Sequence, residues 1–158
     1  MAKSRAISID EMDRRLLALL QRDTTATAEI LGSQIGLSAS TVQRRIKRLR
    51  KTGVIEREVA IVNTDAIGKR MSFIVGVKVD YGQKAAVDAL QRRLLADPRT
   101  QQAYYVTGEV DLMLVVVVHD MQDYDNYSKT LLLASPAMLR FQSNVVIEGL
   151  RVGLEVAL

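Results

Sequence analysis

Cysteine is absent from the 158 residues and histidine occurs once, at His119. The first absence excludes disulfides, thiolate zinc sites and cysteine nucleophiles, and a lone histidine excludes a multi-histidine metal site within one chain. Most of the catalytic repertoire goes with them, and neither a catalytic residue, a metal nor a cofactor is expected. Long hydrophobic runs are also missing. The longest strongly apolar one, Leu112 to Val118 (LMLVVVV), falls far short of the ~20 residues that a spanning helix needs. The opening MAKSRAISIDEMD has no apolar core for a signal sequence, so the chain reads as cytoplasmic and without a membrane partner.

Aromatic residues are scarce and confined to one part of the chain. Phe73, Tyr81, Tyr104, Tyr105, Tyr124, Tyr127 and Phe141 all lie beyond residue 63. Charge divides the other way. Residues 1–63 hold 12 Lys/Arg against 7 Asp/Glu, a net +5, while 64–158 hold 10 against 11, a net −1. A basic segment joined to a neutral one fits a nucleic-acid-binding module with a partner domain. With no aromatic in the basic segment to stack on unpaired bases, duplex DNA is favoured over single strands.

What is present is ordered by period. Met12, Leu16, Leu17, Leu19 and Leu20 recur at helical spacing behind two alternative starts, a Ser8/Glu11 capping box or an Asp10 cap. Thr27 reads as the N-cap of a short second helix closed by Gly36, and Ser38 as the cap of a third that runs to about Thr52 and ends at Gly53. Three short helices with a tight turn at Gly36-Leu37 match a helix-turn-helix. Residues 54–62 alternate loosely enough for a strand, which makes the unit winged or strand-extended. Residues 1–62 are therefore assigned to a DNA-binding domain and 63–70 to a linker. Beyond it, residues 72–80 alternate as a strand and 84–96 return to helical spacing. Residues 101–106 and 111–118 read as strands about a turn at Gly108. Asp120 or Asp123 caps a helix that stops before Ser135-Pro136, and 141–152 is rich in β-formers. The order β-α-β-β-α-β is the ferredoxin-like plan, assigned to residues 71–158.

The third helix divides its own surface. At about 100° per residue, Val42, Ile46 and Leu49 form a narrow apolar stripe, with Ser40, Arg44, Lys47 and Lys51 opposite it and Arg48 beside them. Like charges at these spacings cost an isolated helix a few tenths of a kcal/mol per pair, and a helix built only for solvent intersperses Glu to recover that. Ser40, Thr41, Gln43 and Arg44, towards the helix start, are the candidates for reading bases, and the capping Ser38 is expected at the DNA beside them. Lys47, Arg48 and Lys51, further along, suit phosphates. Arg45 lies near the apolar stripe, where it can pair with an acidic side chain of the first helix, and Arg50 flanks the core.

Together these residues resemble a known family. Ile9-Asp10-x-x-Asp13-x-x-Leu16-Leu17-x-x-Leu20-Gln21-x-Asp23, Gly36-Leu37-Ser38 and Val42-x-x-Arg45-Ile46-x-x-Leu49-x-x-x-Gly53-Val54-Ile55 look like the DNA-binding domain of the Lrp/AsnC (feast/famine) transcription regulators. Val106-Thr107-Gly108-Glu109-Val110-Asp111-Leu112 is similar to the signature of that family's effector domain, which is RAM/ACT-like. The resemblance runs from about residue 9 to 152. It implies an α+β fold, homodimers built through the sheets of the second domain, further assembly into octamers or other higher oligomers, and a small effector, commonly an amino acid, held between subunits. Carried over by position, Val106, Thr107, Gly108 and Asp111 form the effector turn, with Ser143 of the last strand facing it. Val110 stands where the family often has an aromatic, and apolar Ile30 where it often has a charged residue. The same two-domain plan also resembles sirohaem decarboxylase subunits, which are enzymes, but those need His and Arg groups around a tetrapyrrole and this chain has only His119.

Overall fold

The computed structural model describes residues 8–64, 66–68 and 70–158. Residues 1–7 of the opening stretch, and positions 65 and 69 of the expected linker, lie outside these. The chain forms two compact units: Met1–Ile61 with Val152–Leu158, and Val62–Arg151. The last seven residues thus group with the first unit, whereas the sequence pattern assigns them to the second.

In the first unit α1 spans Glu11–Leu20, α2 Ala28–Ile35 and α3 Ala39–Lys51. Of the two possible starts of α1, the structure uses Asp10. Its carboxylate accepts from Asp13 N at 2.8 Å, and Asp13 Oδ2 accepts from Asp10 N at 3.1 Å, a reciprocal capping box. Thr27 and Ser38 cap α2 and α3 as expected, and Gly36 takes φ 74°, a left-handed conformation that costs glycine nothing. Leu16, Leu17 and Leu20 pack against Leu31, Val42 and Leu49, so each helix buries one stripe in a shared core. The turn between α2 and α3 is tight enough that a Cβ at Gly32 would run into the Leu37 carbonyl oxygen.

Residues 54–62 depart from expectation. Their alternation suits a strand, yet they form none, because a strand exists only as one side of a ladder and no described segment pairs with them. Among the described residues the helix-turn-helix consequently carries no wing. Val59 and Ile61 are left exposed.

The second unit is a four-stranded antiparallel sheet with helices on one face. Its elements are β1 (Met71–Val79), α4 (Lys84–Ala96), β2 (Thr100–Tyr105), β3 (Leu112–Val118), α5 (Met121–Tyr127) and β4 (Met138–Val145), with a short turn of helix over Tyr81–Gln83 and a wider helical turn over Ser128–Leu133 after α5. The sheet order is β2-β3-β1-β4. This is the expected ferredoxin-like plan, although β4 ends at Val145 rather than running to residue 152. Alternation places Phe73, Val75, Val77 and Val79 of β1 and Leu112, Leu114, Val116 and Val118 of β3 on the helix side, where they pack on Leu90, Leu94, Tyr127 and Leu132. Phe73 stacks on Tyr124 with ring centroids 3.7 Å apart. The opposite face carries Ile74 and Gly76, and a Cβ at Gly76 would meet Val110 Cγ1 at 3.0 Å.

Candidate DNA-binding face and ligand-binding turn

The third helix is held by its acidic neighbours before it presents anything outward. Asp13 is fully buried and gathers two guanidinium groups of α3. Arg45 Nη1 donates to Asp13 Oδ1 at 2.9 Å and to Asp10 Oδ2 at 2.7 Å, and Arg48 Nη2 donates to Asp13 Oδ2. Burial pulls the Asp13 carboxyl up, but the Asp10 N–H and the two arginines outweigh it and hold the group below its ordinary value. The Arg45 hydrogen bond does the same for Asp10. At the far end of α3, Arg50 forks onto Glu58, with Nε to Oε2 at 3.0 Å and Nη2 to Oε1 at 2.8 Å.

These pairs divide the cations of α3. Arg45 and Arg50 brace the domain. Arg44, Lys47 and Lys51 are exposed and make no ion pair among the described residues, and Gln43 and Ser40 are exposed beside them. Arg48 does both: about half of its side chain is solvent-exposed, and one of its donors holds Asp13 while the others make no ion pair among the described residues. Ser38 Oγ accepts from Thr41 N at 3.3 Å and lies 2.9 Å from the Thr41 hydroxyl, so both hydroxyls are engaged in starting the helix.

In the second unit, residues 106–111 close a turn fastened to β1. Val106 N donates to Asp111 O at 2.9 Å, Asp111 N donates to Val77 O at 2.8 Å, and Gly108 takes φ 126°. Thr107 and Gly108 are exposed at its tip. Asp111 is buried and its carboxylate is occupied within the chain: Oδ2 accepts from Val79 N at 2.9 Å and Oδ1 from Lys78 Nζ at 3.0 Å. The β1–β3 ladder ends at Val77 and Leu112, so the carboxylate supplies the acceptor that Val79 would otherwise lack. Those contacts, the Val79 N–H foremost, hold the Asp111 carboxyl low.

Ser143 differs from its expected placement. It pairs in register with Val75 and so shares the helix side of the sheet, where its hydroxyl bonds the Tyr124 hydroxyl. Val110 covers Gly76 on the opposite face. Strand alternation therefore turns Ser143 away from the face that Val110 occupies. His119 is exposed at the end of β3, where its backbone N–H donates to Asp123 Oδ2 at 3.1 Å.

Three structural roles are not legible in the sequence pattern, or only faintly so. Asp13 as the particular anchor of Arg45 and Arg48 depends on pairing at separations of 32 and 35 residues. Lys78 as the partner of Asp111 is likewise non-local. Gly32 did leave a signal, since a glycine inside a helical pattern points to close packing.

The arrangement in the first unit and the sheet in the second correspond to two matching family models. Residues 9–50 match the AsnC-type helix-turn-helix domain, and residues 72–152 match the Lrp/AsnC ligand binding domain. The chain belongs to the Lrp/AsnC family. An HTH-type transcriptional regulator of Sinorhizobium fredii is 32% identical over 146 residues, covering 92% of this chain and 86% of that one. An AsnC family transcriptional regulator from Agrobacterium tumefaciens, solved by crystallography, superposes with a TM-score of 0.86 at 26% identity, covering 94% and 96% of the two chains. A Neisseria meningitidis transcriptional regulator crystallised with L-Met has the same fold, with a TM-score of 0.88, 21% identity and coverage of 94% and 96%. This Lrp/AsnC chain is a transcriptional regulator that joins a DNA-binding helix-turn-helix to a ligand-binding domain, and its relatives are named as regulators rather than enzymes. No helix among the described residues is long and apolar enough to cross a membrane.

Proposed function

We propose that this Lrp/AsnC regulator binds duplex DNA as a homodimer, in the cytoplasm, with α3 in the major groove. Ser40, Gln43 and Arg44 read base edges, and Lys47, Lys51 and the free donors of Arg48 hold phosphates. Ser38 and Thr41 keep the first turn of the helix in place. The observation that carries this reading is the outward face of α3, where Arg44, Lys47 and Lys51 stand exposed without acidic partners among the described residues while the cations on the inward side are paired. Two such helices related by a two-fold axis call for a roughly palindromic site, with half-sites about one or a few helical turns apart.

The dimer forms through the sheet face opposite α4 and α5, where Ile74 is 42% exposed and Val115 and Val117 are only partly covered. Dimers assemble further, into octamers or other higher oligomers. The effector is an amino acid or related metabolite, and the regulator does no catalysis and carries no cofactor. Support comes from the fold shared with the relative that holds L-Met. Thr107 and Gly108 at the tip of the turn, with the Val106 backbone, face this ligand or a neighbouring subunit, whereas Asp111 and Ser143 hold the surrounding structure.

An operator selected by the wild-type protein from a random duplex library provides the test. The double variant Lys47→Ala/Lys51→Ala should bind it more weakly, and the slope of log affinity against log salt should be shallower by about two units, close to 0.9 for each lost phosphate contact. Unchanged affinity and slope would remove both lysines from the interface.

A further inference from the structure

The sheet of the second unit has two edges, β2 and β4, and they are guarded unequally. An open edge offers a row of backbone N–H and C=O groups to another strand, and folded chains blunt it with charge, proline or a bulge. β4 carries Arg140, with Leu139 inserted as an extra residue between it and Met138. β2 holds no charged residue and no proline, and its register shift comes at its start, between Thr100 and Gln102. From Gln102 to Tyr105 the edge is regular.

Which groups face outward follows from the ladder. Val106 N donates to Asp111 O, so by antiparallel alternation Tyr104 turns its backbone groups to β3, while Ala103 and Tyr105 turn theirs away from it. No segment among the described residues takes them. Apolar side chains lie open along the same line, Tyr105 at 67% exposure and Leu95 of α4 at 72%. Leu95, Ala103 and Tyr105 border a recess of about 170 Å³ between α4 and β2.

The edge is complementary to itself. Two copies of β2, set antiparallel about a two-fold axis at Tyr104, place Ala103 opposite Tyr105 of the second copy and Tyr105 opposite its Ala103. These are the residues whose backbone groups face outward, so each pair exchanges both of its hydrogen bonds. Ala103 and Tyr105 share the helix side of the sheet, since they pair with Leu114 and Leu112, and there a small side chain meets a large one. Tyr105 of the second copy thereby comes to the recess beside Leu95. No like charges meet, because Thr100 to Tyr105 carries none. The same patch is used by both chains, as an isologous contact requires.

We propose that β2 pairs edge to edge with β2 of a second copy, continuing the sheet from one dimer into the next. The proposal rests on the reading that dimers assemble further, and it adds the surface through which they do so. Two different two-fold contacts on one chain, one at the sheet face and one at the β2 edge, are what a dimer of dimers or a larger closed ring is built from.

The absence of cysteine makes a direct test possible. In this pairing Tyr104 stands opposite Tyr104 of the second copy as a non-hydrogen-bonded pair, with Cα atoms about 4.5 Å apart, inside the range of a disulfide. Full-length Tyr104→Cys protein should therefore oxidise to a covalently linked pair of chains, and adding Tyr105→Lys, which brings charge to the joint, should abolish the link. Tyr105→Lys alone should lower the mass measured by analytical ultracentrifugation from that of the wild type to that of a dimer, with an unchanged melting temperature. Backbone amides at residues 103 and 105 should exchange with deuterium at least about tenfold faster in that variant than in the wild type.

If the wild type is larger than a dimer and Tyr105→Lys keeps its mass, the edge is overturned while further assembly stands. A cross-link that survives Tyr105→Lys comes from another contact and overturns the edge likewise. Equally slow exchange at residues 103 and 105 in the variant and the wild type would mean that another segment of the same chain covers β2, which excludes the second copy. A wild type that sediments as a dimer, and stays one in the variant, fails the reading of further assembly and the proposal with it.

Discussion

Arg45 Nη1 of the third helix lies 2.9 Å from Oδ1 of Asp13, a carboxylate with no exposed surface in the first helix. The pair fixes where the outward face of α3 points. Apolar packing through Val42 and Leu49 brings the helices together, but such contacts are non-directional. The charged hydrogen bonds select one rotation of α3 about its axis.

Asp13→Ala should therefore unfold the first unit more easily. Removing one partner of a fully buried ion pair costs about 3–5 kcal/mol, and the exposed side of Arg48 reduces this to about 2–3 kcal/mol. Urea denaturation of the variant should show that loss, with operator affinity falling alongside it. A variant as stable as the wild type would mean that Arg45 and Arg48 find equivalent partners in solvent.

The pH dependence follows in sign from the carboxyl groups. Asp13, Asp97, Asp111 and Asp123 are all held below the ordinary value of 3.8, Asp97 chiefly by the Arg99 guanidinium at 2.7 Å and Asp123 by the His119 N–H. A carboxyl lowered in the folded state stabilises it above the unfolded value, and that stability is lost as pH falls through the folded value. The urea midpoint should be level from about pH 7 to 5 and drop below about pH 4. A midpoint that rose on acidification would contradict these pairings.

Gly32 is set by backbone rather than by side chains. A methyl group there meets the Leu37 carbonyl oxygen, which cannot swing aside because Leu37 N donates to Gly32 O at 2.9 Å. Gly32→Ala should destabilise the helix-turn-helix by about 1–3 kcal/mol despite alanine's better helix propensity. A thermal melt would check this, and a stabilised variant would show that the turn can relax.

Gln21 binds the tail of the chain. Its Oε1 accepts from Val156 N at 2.8 Å and its Nε2 donates to Val156 O at 3.1 Å, two bonds that copy one rung of a ladder across 135 residues. Gln21→Leu should cost only about 1 kcal/mol, since both bonds are exposed, but it should speed proteolytic cleavage after residue 151. Cleavage at the wild-type rate would show that the tail is held by other contacts.

Much of this protein was legible in local pattern. Thr27, Ser38 and Gly36 announced their caps because a helix end must satisfy its own backbone groups with residues a few positions away. The stripe of Val42, Ile46 and Leu49 opposite Arg44, Lys47 and Lys51 followed from helical period alone. Alternation in β1 and β3 likewise named the residues of the core. The strand expected at 54–62 failed for the converse reason: alternation states which face a residue would take, but not whether another strand is there to pair.

By itself the sequence determined the three helices of the first unit, the order of elements from β1 to β4, the buried stripes and the family, all of which rest on neighbours within a turn or two or on a motif read in line. Tertiary structure alone decided which carboxylate each cation meets. Arg45 and Arg48 converged on Asp13, Arg50 met Glu58, Asp111 was committed to Lys78 and Val79, and Arg44, Lys47 and Lys51 were left without an ion pair among the described residues. Charges find partners by distance in space, and the chain brings together groups as far apart as Gln21 and Val156 only when it folds.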